Sequence, residues 1–213
     1  RRTKAMRTHL RNRYRLLRHG YSLANLEGVI VSRFENGREA KYGLHETGRA
    51  QARTAGERLS PEAIFFASDF SRTIETAEVA RAAAGATAPV YLCPDLRERN
   101  FGQLELASNE RYEDVWREDL DRRTTFDAES PASVQRRGLL AVALAERSFA
   151  DRDVVLVSHG DCLQILQTAA AGVDPHHHRS LPHLDTGDLR PVDASDALLA
   201  ALNTCMWHSP PSD

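Results

Sequence analysis

Short apolar runs alternate with longer stretches of helix-forming residues along most of the chain. Residues 13–17 (RYRLL), 63–68 (AIFFAS), 88–93 (APVYLC) and 154–158 (VVLVS) read as strands. Three of the four are nearly continuous in apolar character, as strands buried on both faces of a parallel sheet are. Residues 47–59, 71–84, 133–149 and 161–171 are rich in Ala, Leu, Arg and Glu, which lose little side-chain freedom in a helix. Gly85 supplies a stop for the second of these helices, and Gly172 with Pro175 for the fourth. Alternating strands and helices predict an α/β fold, a three-layer sandwich whose mostly parallel central sheet carries helices on both faces. Residues 102–131 interrupt the rhythm with alternating charges around Trp116 and are expected to form a small lid insertion. Beyond Pro175 the pattern is irregular until a last helical stretch at residues 194–202.

Composition narrows the class. A chain of 213 residues with 41% hydrophobic and 27% charged residues is neither disordered, collagen-like nor a membrane bundle. No apolar run approaches the roughly 18 residues of a membrane span. Residues 13–213 are expected to form a single domain, long enough to bury a core without disulfide or metal staples. Cys93, Cys162 and Cys205 are odd in number and lack C-x-x-C spacing, which predicts buried, reduced thiols in an intracellular, cytoplasmic protein.

The net charge of −2 hides an uneven distribution. Arg1, Arg2, Lys4, Arg7, Arg11, Arg13 and Arg15 crowd the start with no acid among them, so the remainder is acidic. Residues 1–12 are read as a solvated, disordered basic leader. Arg rather than Met at position 1 suggests a processed or cut chain, and the Arg-rich, acid-free composition also suits an organellar targeting segment, although Ser is missing. A basic tail without a basic face predicts no nucleic-acid partner.

The candidate chemistry lies in two similar segments, Leu16-Leu17-Arg18-His19-Gly20 and Leu156-Val157-Ser158-His159-Gly160. Each is an apolar strand, one polar residue, then His-Gly. In a parallel sheet both histidines leave the carboxyl ends of their strands, the edge on which α/β folds bind ligands. Arg18 adjoins the first histidine, and Arg72 follows the second strand at a helix start, where free N–H groups already favour an anion. A guanidinium adds a fork that matches phosphate oxygens. Two histidines and two arginines at strand ends describe a pocket for a dianionic phosphoryl group.

These residues resemble the histidine phosphatase superfamily, in its phosphoglycerate-mutase-like branch. Arg18-His19-Gly20-Tyr21-Ser22-Leu23-Ala24-Asn25 fits the family's R-H-G-x-S-x-x-N. The stretch Leu44-His45-Glu46-Thr47-Gly48-Arg49-Ala50-Gln51-Ala52 is close to L-T-x-x-G-x-x-Q-A. The blocks Ser68–Ala77, Leu96–Gly102 and Val157–Gly160 follow in the family's order. The resemblance implies that His19 is the nucleophile, forming a phosphohistidine that water hydrolyses. Arg18, Arg72 and His159 would hold the non-bridging oxygens, Asn25 would donate a further hydrogen bond, and Glu98 would serve as general acid and then base. The residue pattern alone leaves Glu98 open to an ordinary ion pair within Arg97-Glu98-Arg99. The implied activity is a metal-independent phosphatase acting on a small phosphorylated molecule, with no cofactor. A phosphoglycerate mutase using the same pocket and a non-catalytic phospho-ligand-binding module are the alternatives.

Several features depart from the pattern or stand outside it. His176-His177-His178 shares no strand or helix face and is expected to be a solvated loop rather than a metal site. Arg179, next to it, could instead reach substrate. His45 replaces the usual Thr and is expected to cap its helix poorly. Phe101-Gly102-Gln103-Leu104-Glu105 departs from the family where the lid begins. Arg33, Arg38 and Lys41 are read mainly as solvated surface.

Overall fold

The computed structural model describes residues 6–207. In chain order the elements are β1 (Arg13–Arg18), α1 (Leu23–Glu27), α2 (Phe34–Gly37), α3 (Glu46–Gly56), β2 (Ile64–Ala67), α4 (Ser71–Ala83), β3 (Tyr91–Leu92), α5 (Tyr112–Asp121), α6 (Pro131–Ser148), β4 (Asp153–Ser158), α7 (Gly160–Ala171), β5 (Leu189–Pro191) and α8 (Asp196–Trp207). The strands form one sheet in the order β3-β2-β4-β1-β5. The first four run parallel, and β5 pairs antiparallel to β1 at the edge.

Strand side chains alternate between two cores, as the pleat requires. Leu16, Ile64, Phe66, Val154 and Leu156 pack on one face against Leu139 and Val142 of α6, Leu163 and Leu166 of α7, and Leu198 and Leu202 of α8. Leu17, Phe65, Ala67, Val155 and Val157 pack on the other against Ala55 of α3 and Ala77 and Ala80 of α4. The chain is therefore an α/β sandwich with a mostly parallel sheet between helical layers. Among the described residues, no helix is long and apolar enough to cross a membrane.

Local chemistry sets the helix ends. Ser130 accepts from the Ser133 N–H, and Pro131 sits in the first turn of α6, where its missing N–H costs nothing. Gly172 ends α7 in the left-handed region, at φ 66°. His45, expected to be a poor cap, does cap α3: its Nδ1 accepts from the Thr47 N–H at 3.1 Å. An unprotonated ring nitrogen satisfies a free helix donor as a hydroxyl would.

Three other expectations change. The third strand shrinks to Tyr91–Leu92, because Pro89 and Pro94 flank it and cannot donate to a ladder. The short edge strand β5 was not foreseen, since three residues ending in Pro191 carry no alternation to read. Residues 1–5 of the expected leader lie outside the described residues, but residues 7–12 are attached to the fold. Buried Glu146 of α6 accepts from Arg7 Nη1 at 3.0 Å, the Arg11 N–H at 2.9 Å, the Asn12 N–H at 3.1 Å and the Tyr14 hydroxyl at 2.8 Å. Cys93, Cys162 and Cys205 are buried. The segment after Gly102 has a small core of its own, in which Leu104 and Val115 pack with Phe101 and Ile30.

One contact ties the scaffold to the strand ends. A Cβ on Gly20 would lie 2.2 Å from the Gly48 carbonyl oxygen, and one on Gly48 would lie 2.1 Å from the Tyr21 carbonyl oxygen. The first turn of α3 thus presses on the backbone that follows β1. Gly20→Ala is expected to destabilise the fold by about 1–3 kcal/mol, the usual range for overpacking. At this chain size that lowers the melting temperature by roughly 2–4 °C per kcal/mol. Thermal unfolding followed by circular dichroism checks this, and an unchanged midpoint would mean that α3 can retreat without cost.

Candidate active site

Register brings the two His-Gly segments together. Arg18 of β1 lies opposite Ser158 of β4, so His19 and His159 leave adjacent strands at the same height. The His19 N–H donates to the Ser158 carbonyl at 2.9 Å, and the two rings meet edge to face with centroids 5.2 Å apart. Strand β2 neighbours β4 on its other side, and the turn after it delivers Arg72 in the first turn of α4. The carboxyl edges of three parallel strands thus converge on one point.

The hydrogen bonds of His19 settle where its proton resides. Nδ1 lies 2.8 Å from the Gly20 carbonyl, which can only accept, so Nδ1 carries the hydrogen. Nε2 accepts from Arg72 Nε at 3.2 Å, so it holds the lone pair. Burial, with Arg72 and Arg18 alongside, holds the imidazole pKa well below its usual value. The same influences, led by burial, lower that of His159. Both rings are neutral at neutral pH.

Arg72 is buried and Arg18 half-buried, both with donors to spare. Arg72 gives Nη2 to the Val31 carbonyl at 2.8 Å, and Arg18 gives Nη1 to the Leu184 carbonyl at 2.7 Å. His159 Nε2 meets the Ser68 hydroxyl at 2.9 Å. Among the described residues, the buried side-chain nitrogens and oxygens without a partner are Arg18 Nε, Arg72 Nη1 and His159 Nδ1. Buried polar groups are rarely left unpaired, and three gathered around one histidine are suited to holding an anion. Gly160 keeps this place open, since a Cβ there would lie 3.1 Å from Arg18 Cζ.

Asn25 lines the same cavity, of about 260 Å³, together with Arg18, His19, Arg72 and Glu98. Its Oδ1 accepts from the Ser22 N–H and hydroxyl at 3.0 and 2.9 Å, closing a reciprocal cap on α1. That leaves the amide nitrogen as its unused donor. His159 is not a lining residue and contributes from against the His19 ring. Arg33, Arg38 and Lys41 do not line the cavity either; Arg33 donates to the Gly102 carbonyl, and the other two lie over Phe34 and Tyr42.

Glu98 has no arginine partner. The neighbours that could have paired with it are committed elsewhere, Arg97 to Asp69 and Arg99 to Asp119 and Asp161. Its Oε1 accepts instead from the Arg99 N–H at 2.8 Å and the Cys162 N–H at 3.2 Å. Burial and then the charge of Asp161 raise its pKa above the usual carboxyl value, against the pull of those N–H groups and of Arg72. Arg137 of α6 fixes this segment by donating to the carbonyls of Asp95, Arg97 and Glu98 at 2.8, 2.6 and 3.0 Å, while Glu129 holds its guanidinium from the other side.

The histidine run departs from expectation. His178 is fully buried, and its Nε2 meets Asp161 Oδ1 at 2.9 Å. Asp161 also accepts from Trp116 Nε1 at 3.0 Å and from Arg99 Nη1 at 3.2 Å. Burial alone would raise the pKa of Asp161, but His178 and Arg99 hold it at about 2. A solvated reading fails here because the run forms a 3-10 turn that presents one ring inward. Among the described residues, no three His, Cys, Asp or Glu side chains are grouped to hold a metal ion. Sequence reasoning missed Asp161, Arg137 and the wall formed by Asn109 and Tyr112. The only available signal was an acid directly after the second His-Gly.

Comparison with known proteins identifies the family and the fold. A family model described as histidine phosphatase superfamily, branch 1, matches residues 15–198. The probable phosphoglycerate mutase GpmB of Yersinia enterocolitica is 30% identical over 175 residues, 78% of each chain. Among solved structures, a mycobacterial glucosyl-3-phosphoglycerate phosphatase in complex with VO3 superposes with a TM-score of 0.71 at 24% identity, covering 86% of this chain and 98% of the other. TTHB049 from Thermus thermophilus superposes with a TM-score of 0.60 at 29% identity, covering 85% and 93%.

Inorganic phosphate is expected to bind the three unpartnered donors. Removing one partner of a buried charged contact typically costs 2–5 kcal/mol, so Arg72→Ala should weaken phosphate binding by about 30-fold or more. Calorimetric titration at fixed ionic strength checks this. An unchanged dissociation constant would show that the guanidinium does not face the anion.

Proposed function

The chain belongs to branch 1 of the histidine phosphatase superfamily, and on that premise we propose that it is a phosphatase hydrolysing a small phosphomonoester through a phosphohistidine on His19. The observation that carries this reading is the His19 Nε2 lone pair set among three buried, unpartnered donors. A neutral imidazole attacks phosphorus; a protonated one cannot. Its depressed pKa keeps that form available.

In the first step Nε2 forms a bond to phosphorus as the bond from phosphorus to the alcohol oxygen breaks. Arg18, Arg72 and His159 hold the non-bridging oxygens, with Asn25 adding a donor. Phosphoryl transfer is chiefly positioning and charge stabilisation, which the arginines supply without a metal. Glu98 gives its proton to the departing alkoxide; its raised pKa favours the protonated form this requires. In the second step the Glu98 carboxylate takes a proton from water as that water attacks phosphorus. The P–N bond breaks, its electrons return to Nε2, and phosphate leaves.

We read the second step as hydrolysis rather than return of the phosphoryl group to a bound acceptor, with Glu98 placed to act as acid and then as base. It lines the cavity and also an open surface cleft shared with Ser32, Asn100 and Glu129. Relatives named as mutase and as phosphatase both occur, so the reading is tested directly.

His19→Ala is expected to abolish phosphate release and phosphoenzyme formation with excess chelator present. Glu98→Gln should lower kcat/KM by about 100-fold or more on alkyl phosphates and far less on p-nitrophenyl phosphate, whose leaving group needs no proton. Equal losses on both would remove Glu98 from the acid role. Isomerisation of 3-phosphoglycerate without phosphate release would identify a mutase. The pH profile of kcat/KM should be bell-shaped. Activity falls on the acid side, below the usual histidine value, as His19 gains a proton. It falls on the alkaline side, above the usual carboxyl value, as Glu98 loses one. The alkaline limb should vanish in Glu98→Gln.

A further inference from the structure

We infer that Arg179, seated on Trp116 at the cavity wall, determines substrate specificity by receiving a second anionic group carried on the alcohol half of the phosphomonoester. The inference rests on the hydrolytic reading above for the place of the first phosphoryl group, and it adds the class of alcohol.

Arg179 is exposed, yet its guanidinium is fixed. Its Cζ lies 3.7 Å from the centroid of the Trp116 ring, and Nη1 donates to Gln164 Oε1 at 2.6 Å. Its other donors are not engaged, and among the described residues no carboxylate pairs with it. The wall behind it is rigid. The Trp116 indole is held by Asp161 and stacked on Tyr112 at 5.6 Å with 13° between planes. A guanidinium spread on an aromatic face keeps its edge donors free, in a fork that fits a carboxylate or phosphoryl group. Trp116 comes from α5 and Arg179 from the 3-10 turn after α7, so two separate elements meet to build this wall.

Charge balance points the same way. Three arginines line the cavity: Arg18, Arg72 and Arg179. The lining acids do not pair with them: Asp161 faces Arg99, Trp116 and His178, and the Glu98 carboxyl is held by the backbone N–H groups of Arg99 and Cys162. His183, the other titratable group on that rim, faces Asp185 at 3.0 Å. A phosphoryl group held by Arg18 and Arg72 leaves the unengaged donors of Arg179 on the cavity wall for a second anionic group. A cavity of about 260 Å³ lies at the small end for ligand sites, so the alcohol is compact.

Two three-carbon probes separate the charge from everything else. Glycerol 3-phosphate and 3-phosphoglycerate differ only by a carboxylate in place of a hydroxymethyl group, and glycerol 1,3-bisphosphate supplies the phosphoryl arm. The wild-type enzyme is expected to favour one of the two doubly anionic probes over glycerol 3-phosphate by about 10-fold or more in kcat/KM, chiefly through KM. Which of them wins identifies the group. In Arg179→Met that ratio should collapse toward one, and Arg179→Lys, which keeps the charge without the fork, should retain part of it. Arg117→Met removes the same charge from an exposed position of α5 outside the cavity and should keep the ratio. No preference in the wild type, a ratio unchanged in Arg179→Met, or an equal loss in Arg117→Met would overturn the inference. Calorimetry on His19→Ala and on the His19→Ala/Arg179→Met double variant reads the same discrimination by binding alone. Arg179-dependent binding without wild-type turnover would sustain the subsite while rejecting the hydrolytic reading, and turnover without Arg179-dependent discrimination would do the reverse.

Discussion

Arg18 and Arg72 converge on one cavity with no carboxylate bound to either among the described residues, and much of the surrounding structure follows from that arrangement. Taking a guanidinium out of water without a counter-ion is costly, and protein carbonyls offset the cost only in part. Here the carbonyls of Leu184 and Val31 take one donor from each, and His19 takes another. Burial first, and then the same positive field, lowers the pKa of both histidines, so the proposed nucleophile is neutral in part because of the groups proposed to bind its target. On the proposed mechanism an arriving phosphoryl dianion relieves the uncompensated charge and finds its attacking atom already deprotonated, so binding and activation share part of their electrostatic origin.

That arrangement survives only if nearby carboxylates are kept from closing it. Glu98 is the acid within reach, and the structure gives its flanking arginines other partners. Arg97 turns to Asp69, and Arg99 is divided between Asp119 and Asp161. Arg137 and Glu129 then hold the backbone of residues 95–98, while the Ser158 hydroxyl donates to the Leu96 carbonyl and links this segment to the end of β4. Burial and then the charge of Asp161 raise the pKa of Glu98, against the pull of the backbone N–H groups that hold its carboxyl. A salt bridge to Arg72 would have lowered its pKa and removed a donor from the anion site at once.

What was legible in the sequence was local. The parallel strands declared themselves as apolar runs, and the two Leu/Val-x-His-Gly segments marked the strand ends from which the site is built. The helices of both layers were visible in composition, with Gly172 as a stop. What escaped depended on contacts between distant residues. Nothing in a triple-histidine run distinguishes His178 from its neighbours until Asp161 is brought against it. Arg7 and Arg11 read as a solvated tail because their partner, Glu146, lies about 140 residues away in an unremarkable helix. Strand β5 is held by its pairing with β1 and has no pattern of its own. His45 was judged by residue type, whereas its capping depends on which ring nitrogen carries the proton.

Asp161 links the chemistry to recognition. One buried carboxylate accepts from Arg99 beside Glu98, from Trp116 of α5 and from His178 of the turn that presents Arg179. It lies in the first turn of α7, where a negative charge is favoured, one residue from the Cys162 N–H that holds Glu98. The wall proposed to face the alcohol and the acid proposed to protonate it are therefore referenced to the same point. A side chain in front of that anchor, such as Arg179 or Tyr112, can change what the cavity accepts without displacing Glu98 or His19. Loss of the anchor itself would disturb both at once. Sequence variation that tunes substrate choice should on this ground concentrate at the cavity face of α5 and of the 175–180 turn, with the buried contacts to Asp161 left in place.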